Sequence, residues 1–197
     1  MNVMEPFTLT LEAATGSLEP STSSVERHLS DMRGMYADAD KEETLIADGD
    51  PVIYEVLQHD VPNENGQLIT CTTVIHPGRV GAEYFMTKGH YHAKRDTGEV
   101  YLGLRGNGKL LMEVEGRFSC LDMAPGVIAY VPPFWAHRTV NTGDEPFVFL
   151  AVYPADAGHD YGTIERHGFA GRVLDVDGSP AVVPRGGETP SPPTPTR

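Results

Sequence analysis

The sequence predicts an all-β sandwich or barrel with one short helix ahead of it, on three observations. From residue 52 onward the chain breaks into short strand-like runs rich in β-branched and aromatic residues. Between them lie clusters of Gly, Pro, Asn and Asp. One run, 147–152 (FVFLAV), is apolar on both faces, as a strand covered from both sides must be.

In chain order, residues 38–48 (DADKEETLIAD) read as a helix, because acidic residues crowd its start and Gly49 with Pro51 ends it. The expected strands are 52–58, 68–76, 82–92, 99–104, 109–114, 118–122, 127–131, 138–140 and 147–153. Turn clusters at 63–66 (NENG), 105–108 (RGNG), 115–116 (EG), 124–126 (APG) and 141–144 (NTGD) punctuate them. The reading is therefore an N-terminal extension over 1–50 whose helix packs on the barrel, a barrel over 51–183 and a tail over 184–197. That tail is rich in Pro, Gly and Thr and is expected to be disordered, because it has no apolar area to offset the entropy of ordering.

Composition excludes several function classes. A chain of 197 residues with a net charge of -13 and no Lys/Arg-rich run lacks the cationic footprint that nucleic acid or an anionic membrane requires. A local cluster of donors can still hold an anionic small molecule in an acidic protein. The first residues carry neither a basic segment nor a continuous apolar one, no run is long enough to span a bilayer, and Cys71 and Cys120 form no disulfide framework. A reducing cytoplasm is the expected setting.

The residues that carry chemistry begin with Gly89-His90-Tyr91-His92. On a strand the side chains at i and i+2 point the same way, with Cα atoms roughly 6.5 to 7 Å apart, so two imidazoles can converge on one cation. The pair alone is a weak signal, since eight histidines produce such a spacing by chance in roughly one composition in three or four. Its context is stronger. A polar turn, 93–98, leads to Glu99, and a hairpin there would aim the carboxylate at the same point. Further on, His137 follows the diproline Pro132-Pro133 in an otherwise apolar segment. Three imidazoles and one carboxylate suit a first-row divalent ion and leave about two octahedral positions open. His28, His59, His76 and His167 have no such partners and read as surface or structural.

These positions resemble the two motifs of the cupin superfamily: His90, His92, Glu99 and Gly106 in the first, Gly126, Pro132, His137 and Asn141 in the second. The gap from His92 to Glu99 is longer than usual, and Phe134 stands where a glycine is common. A narrower resemblance accounts for both departures. Thr87–Lys94 (TKGHYHAK), Glu99-Val100-Tyr101, Tyr130–Asn141 (YVPPFWAHRTVN) and Tyr153–Gly162 (YPADAGHDYG) look like the cupin-type glucose-6-phosphate isomerases first known from archaea, over residues 5–183. The resemblance implies a double-stranded β-helix (jelly-roll) barrel and a homodimer. It implies metal ligation by His90, His92, Glu99 and His137, with one divalent ion per chain, Fe²⁺ first and Mn²⁺, Ni²⁺ or Zn²⁺ after it. It also places Thr73, Thr87, Gly89, Tyr101, Tyr153, His159 and Tyr161 in a sugar-phosphate pocket. Phe134 replaces a tyrosine of some members and Tyr91 a phenylalanine, so the two ring hydroxyls trade places.

The implied reaction moves a proton between C1 and C2 of an open-chain sugar phosphate. A divalent ion would polarise O1 and O2 and stabilise the enediolate, and Glu99 is the acidic residue placed to carry the proton. A metal-assisted hydride shift is the rival route. Two other readings remain open at this stage: a different metallocupin enzyme (a mannose-6-phosphate isomerase or a dioxygenase), and a non-catalytic sugar-binding cupin. The complete ligand set and the threonine and tyrosine donors favour the isomerase.

Overall fold

The structure, a computed structural model, describes residues 4–185. Two short strands, β1 (Thr10–Leu11) and β2 (Leu18–Glu19), pair with each other, and β3 (Ser23–His28) runs into a 3₁₀ turn at Leu29–Met32 and helix α1 (Ala39–Ala47). The barrel strands follow: β4 (Val52–His59), β5 (Leu68–Ile75), β6 (Arg79–Val80), β7 (Glu83–Tyr84), β8 (Tyr91–His92), β9 (Glu99–Arg105), β10 (Gly108–Val114), β11 (Arg117–Met123), β12 (Ile128–Val131), β13 (Ala136–Asn141), β14 (Phe147–Pro154) and β15 (His159–Asp160). Helix α2 (Tyr161–His167), β16 (Gly171–Val176) and β17 (Ser179–Pro184) come last.

Helix α1 starts where its chemistry requires. The Asp38 carboxylate accepts the Lys41 amide hydrogen at 3.0 Å, and Asp40 and Glu42 fill the positive first turn. Two antiparallel sheets then face each other. One has six strands in the order β12-β9-β14-β5-β4-β3, and the other has three in the order β11-β10-β13. This is the all-β cupin fold. Strand β14 lies between β9 and β5, and most of its residues are buried on both faces, as its apolar sequence requires. The core between the sheets includes Ile53, Ile75, Leu110, Met112, Phe147 and Phe149.

Three features differ from the sequence expectation. Residues 82–92 do not form one strand. Only β7 and β8 are regular, and the stretch between them touches β13 through isolated bridges, Met86 to Val140 and His90 to His137. Gly89, at φ 73°, breaks the pleat. The N-terminal segment does more than rest on the barrel: β3 pairs with β4 over six residue pairs and is the end strand of the larger sheet. Helix α2 and strands β16 and β17 have no counterpart in the expected elements. Of the segment read as a tail, Pro184 closes β17, and residues 186–197 lie outside the described residues.

Phe147 is fully buried, and a Cβ added to Gly108 would lie 2.5 Å from its ring, so the two residues fit as a large–small pair. Phe147→Ala is expected to lower the unfolding free energy by about 3–5 kcal/mol, by lost transfer energy and the cavity left behind. Urea denaturation of the two proteins measures it.

Candidate active site

The interior cluster is assembled from three places in the fold. His90 bridges to His137, with backbone N–H···O contacts of 3.1 and 3.0 Å in the two directions, so both imidazoles enter from adjoining strands. His92 follows two residues later on β8 and shares the face of His90. Glu99 opens β9 on the opposite sheet. The expected hairpin between His92 and Glu99 does not form: β8 pairs with β15, while β9 pairs with β12 and β14. Residues 93–98 instead cross from one sheet to the other, tied down by Ala93 and Lys94 amides on the carbonyls of Gly158 and Ala157. A crossover of that kind needs the longer gap seen in the sequence. It brings Glu99 Oε2 to 3.2 Å from His92 Nε2 and 3.0 Å from His137 Nε2.

The ligand atoms of His90, His92, Glu99 and His137 all lie within 4.8 Å of one another. Three of these residues are at most 4 % exposed. The Nε2 atoms of His90 and His137 are buried without a hydrogen-bond partner, although His137 Nε2 is close to the carboxylate. Orphaned nitrogens converging on one point are what a divalent cation satisfies, so the donor set fits such an ion. Around the ligands, His92 Nδ1 contacts Thr97 Oγ1 at 2.8 Å, which leaves Nε2 for the centre.

Burial sets the charge states. It holds the His90 imidazole well below its usual range, helped by His137, His159 and His92, so the ring is neutral and able to ligate. Burial pushes the Glu99 carboxyl up, but the His137 and His92 imidazoles beside it outweigh burial and leave Glu99 below the usual carboxylate range, hence ionised. His159 is lowered too, chiefly by burial.

The cluster opens onto a cavity of about 280 Å³. Thr73, Thr87, Gly89, Tyr101, Tyr153, His159 and Tyr161 all line it. Tyr101 stacks on Phe149 at 4.9 Å, Tyr153 donates its hydroxyl hydrogen to Gln58 at 2.8 Å, and His159 stacks on Tyr161 at 5.6 Å. Gly89 is confined from behind, where an added Cβ would meet Phe169, Arg138 and the His137 carbonyl, so only its bare backbone faces the cavity. Buried Arg138, next to His137 but on the other face of β13, donates to the Lys88 carbonyl at 2.6 Å and so fixes this stretch. The exchanged hydroxyl positions do not meet there. Tyr91 lies under the Arg95 guanidinium at 3.8 Å and Phe134 is 56 % exposed, and neither lines the cavity. Phe134 has φ 73°, which explains why glycine is common at that place. His28, His59 and His76 make local polar contacts to Asp50 and Glu26, to Pro20 and to Glu55, away from the cluster.

Sequence reasoning missed Arg27, Tyr54, Gln58, Cys71 and Lys88, which also line the cavity. Arg27 sits in the extension assigned outside the barrel. The available signal was charge: a site for an anion in a chain of net charge -13 calls for a cation, and the donors named from the sequence include none.

Fold and interior define a cupin whose buried three-histidine, one-carboxylate cluster has the composition of a metal centre. The chain belongs to the glucose-6-phosphate isomerase (GPI) family, whose model matches residues 26–184. It is 50% identical over 183 residues to the glucose-6-phosphate isomerase of Thermococcus litoralis, covering 92% of this chain and 96% of that one. It is also 50% identical over 180 residues to that of Pyrococcus furiosus (91% and 95%). A putative glucose-6-phosphate isomerase 2 of Rhizobium meliloti is 39% identical over 188 residues (92% and 94%). Among solved structures, oxalate decarboxylase from Bacillus subtilis overlays 54% of this chain and 26% of its own at 24% identity, with a TM-score of 0.43.

A histidine held neutral in the folded state binds fewer protons there than in the unfolded chain. Stability of metal-free protein should therefore fall as pH drops below the ordinary histidine value of 6.5, by up to about 1.4 kcal/mol per pH unit from His90. Denaturation of wild type and His90→Gln between pH 7 and 5 checks this, the variant showing the shallower slope.

Proposed function

We propose that this protein interconverts glucose 6-phosphate and fructose 6-phosphate in the cytoplasm, with one divalent ion per chain held by His90, His92, Glu99 and His137. Fe²⁺ is the first choice and Mn²⁺, Ni²⁺ or Zn²⁺ are substitutes, because mixed imidazole–carboxylate donors accept all four. The observation that carries the reading is the ligand cluster at one wall of a cavity lined with hydroxyl donors, in a chain of this family.

A divalent ion bound there would supply Lewis-acid polarisation of the open-chain sugar's carbonyl and adjacent hydroxyl. The protein's residues divide the remaining tasks. Glu99, ionised and facing the cavity, takes the proton from C2 and returns it to C1, so one carboxylate serves both half-reactions. Tyr101 and Tyr153, protonated because burial raises both phenols, orient the sugar hydroxyls. Thr73, Thr87, the Gly89 amide and Tyr161 bind the phosphate, with glycine allowing close backbone approach. Neutral His159 passes a proton during ring opening.

A homodimer is part of the same proposal. Strand β12 is an edge of the six-stranded sheet, and its outer face together with β9 carries Ile128 at 70 %, Tyr130 at 57 % and Val100 at 41 % exposure, with Tyr130 paired directly to Val100. Unpaired strand edges with apolar side chains favour coverage by a second copy.

Chelation should abolish isomerisation, and added Fe²⁺ or Mn²⁺ should restore it. Turnover by fully stripped protein rejects the metal assignment. Glu99→Gln should keep much of the metal, read by elemental analysis, and lose at least about 100-fold in kcat, the upper part of a general base's contribution. A near-native rate removes Glu99 as base. Light scattering should give twice the chain mass of 21.4 kDa, and Tyr130→Asp should halve it.

A further inference from the structure

The cavity has a second charged end. Reading across the larger sheet, Glu99 stands on β9 and Arg27 on β3, four strands away in the order β9-β14-β5-β4-β3. Arg27 alternates with Glu26 and His28, which pair with each other at 2.8 Å, so it points to the opposite face and lines the cavity beside Tyr54, its direct partner on β4. Among the described residues Arg27 makes no salt bridge. The cavity's other cation, Lys88, is tied to Glu165 at 2.9 Å. Around the guanidinium stand phenols. Burial pushes Tyr54 up to about 12, with the Arg27 charge and the Lys88 amide pulling the other way, and Arg27 acts on Tyr161 as well. A guanidinium with no carboxylate partner among the described residues, bonded to the Tyr54 hydroxyl and directed into a cavity of a strongly acidic protein, has its charge answered only when an anion arrives, and its planar fork suits two oxygens of one phosphate.

We propose that Arg27 is the fixed counter-charge for the substrate's phosphate and the determinant that selects phosphorylated over neutral sugars, with the Tyr54 hydroxyl and the Gly89 amide completing the cradle. This rests on the sugar-phosphate reading above and adds to it a charged residue from the N-terminal strand. An acceptable sugar then carries its anionic group at the end away from the metal cluster.

The test compares wild type, Arg27→Gln and Arg27→Lys as metal-loaded proteins. Glucose 6-phosphate is the substrate, and inorganic phosphate serves both as inhibitor and as a direct calorimetric ligand. Arg27→Gln should raise KM about 30- to 100-fold, with the loss falling on KM rather than kcat, and should weaken phosphate binding by a similar factor. Arg27→Lys, which keeps the charge without the fork, should recover part of both and also serves should the glutamine variant not fold. Phosphate affinity and KM within twofold of wild type in both variants would overturn the proposal. So would a fall in kcat at unchanged KM. If the wild type binds phosphate in an Arg27-dependent way but does not isomerise the sugar, the isomerase reading fails and the anion site stands.

Discussion

A carboxylate held inside an apolar barrel is the constraint on which the rest of this structure depends. Glu99 is 4 % exposed, and an ionised side chain at that depth is tolerated only with compensation close by. His92 on β8 and His137 on β13 provide it, at 3.2 and 3.0 Å. For the three to meet, the 93–98 segment must cross between sheets, β13 must be buried on both faces, and the stretch before β8 must leave the regular pleat. The short strands and the glycine turn at residue 89 are the local means to that end.

The same arrangement explains why β13 is buried throughout although most of its residues are polar. His137 faces inward to the cluster. Arg138 faces outward, yet it is covered by Phe169 at 4.6 Å and by the C-terminal strands, and burial lowers it to about 10. Asn141 donates to the carbonyls of Ile75 and Glu145, both at 2.9 Å, and so locks the strand's end. Three polar residues on one strand thus do three jobs: ligation, positioning of the Lys88 carbonyl, and closure of the barrel.

Most of the barrel was legible in the sequence because its strands obey local rules. Strands β4, β5, β9 to β12 and β14 follow apolar runs ended by turn residues, and α1 follows its acidic start and glycine stop. The cluster was legible because residue type and spacing restrict it. What escaped depends on non-local pairing. Strand β3 reads as a polar segment, SSVERH, and becomes a strand only because β4 offers it an edge. Helix α2 is seven residues long and stands on the Asp160 cap at Thr163 and on the Lys88–Glu165 pair, neither visible as periodicity. The His92–Glu99 hairpin failed for the same reason, since β15, almost seventy residues downstream, takes the place that a hairpin partner would have filled. Arg27 was missed with its strand.

The cavity's walls come from β3 near the beginning of the chain and from Tyr161 near its end, so no contiguous stretch of sequence contains the binding surface. Early-synthesised β3 has nothing to pair with until β4 emerges, and the cavity stays open on one side until residue 161 has been made. Ligand capture therefore requires segments more than a hundred residues apart to be docked on the same barrel, so occupancy reports that β3 and the segment at residue 161 are both in place.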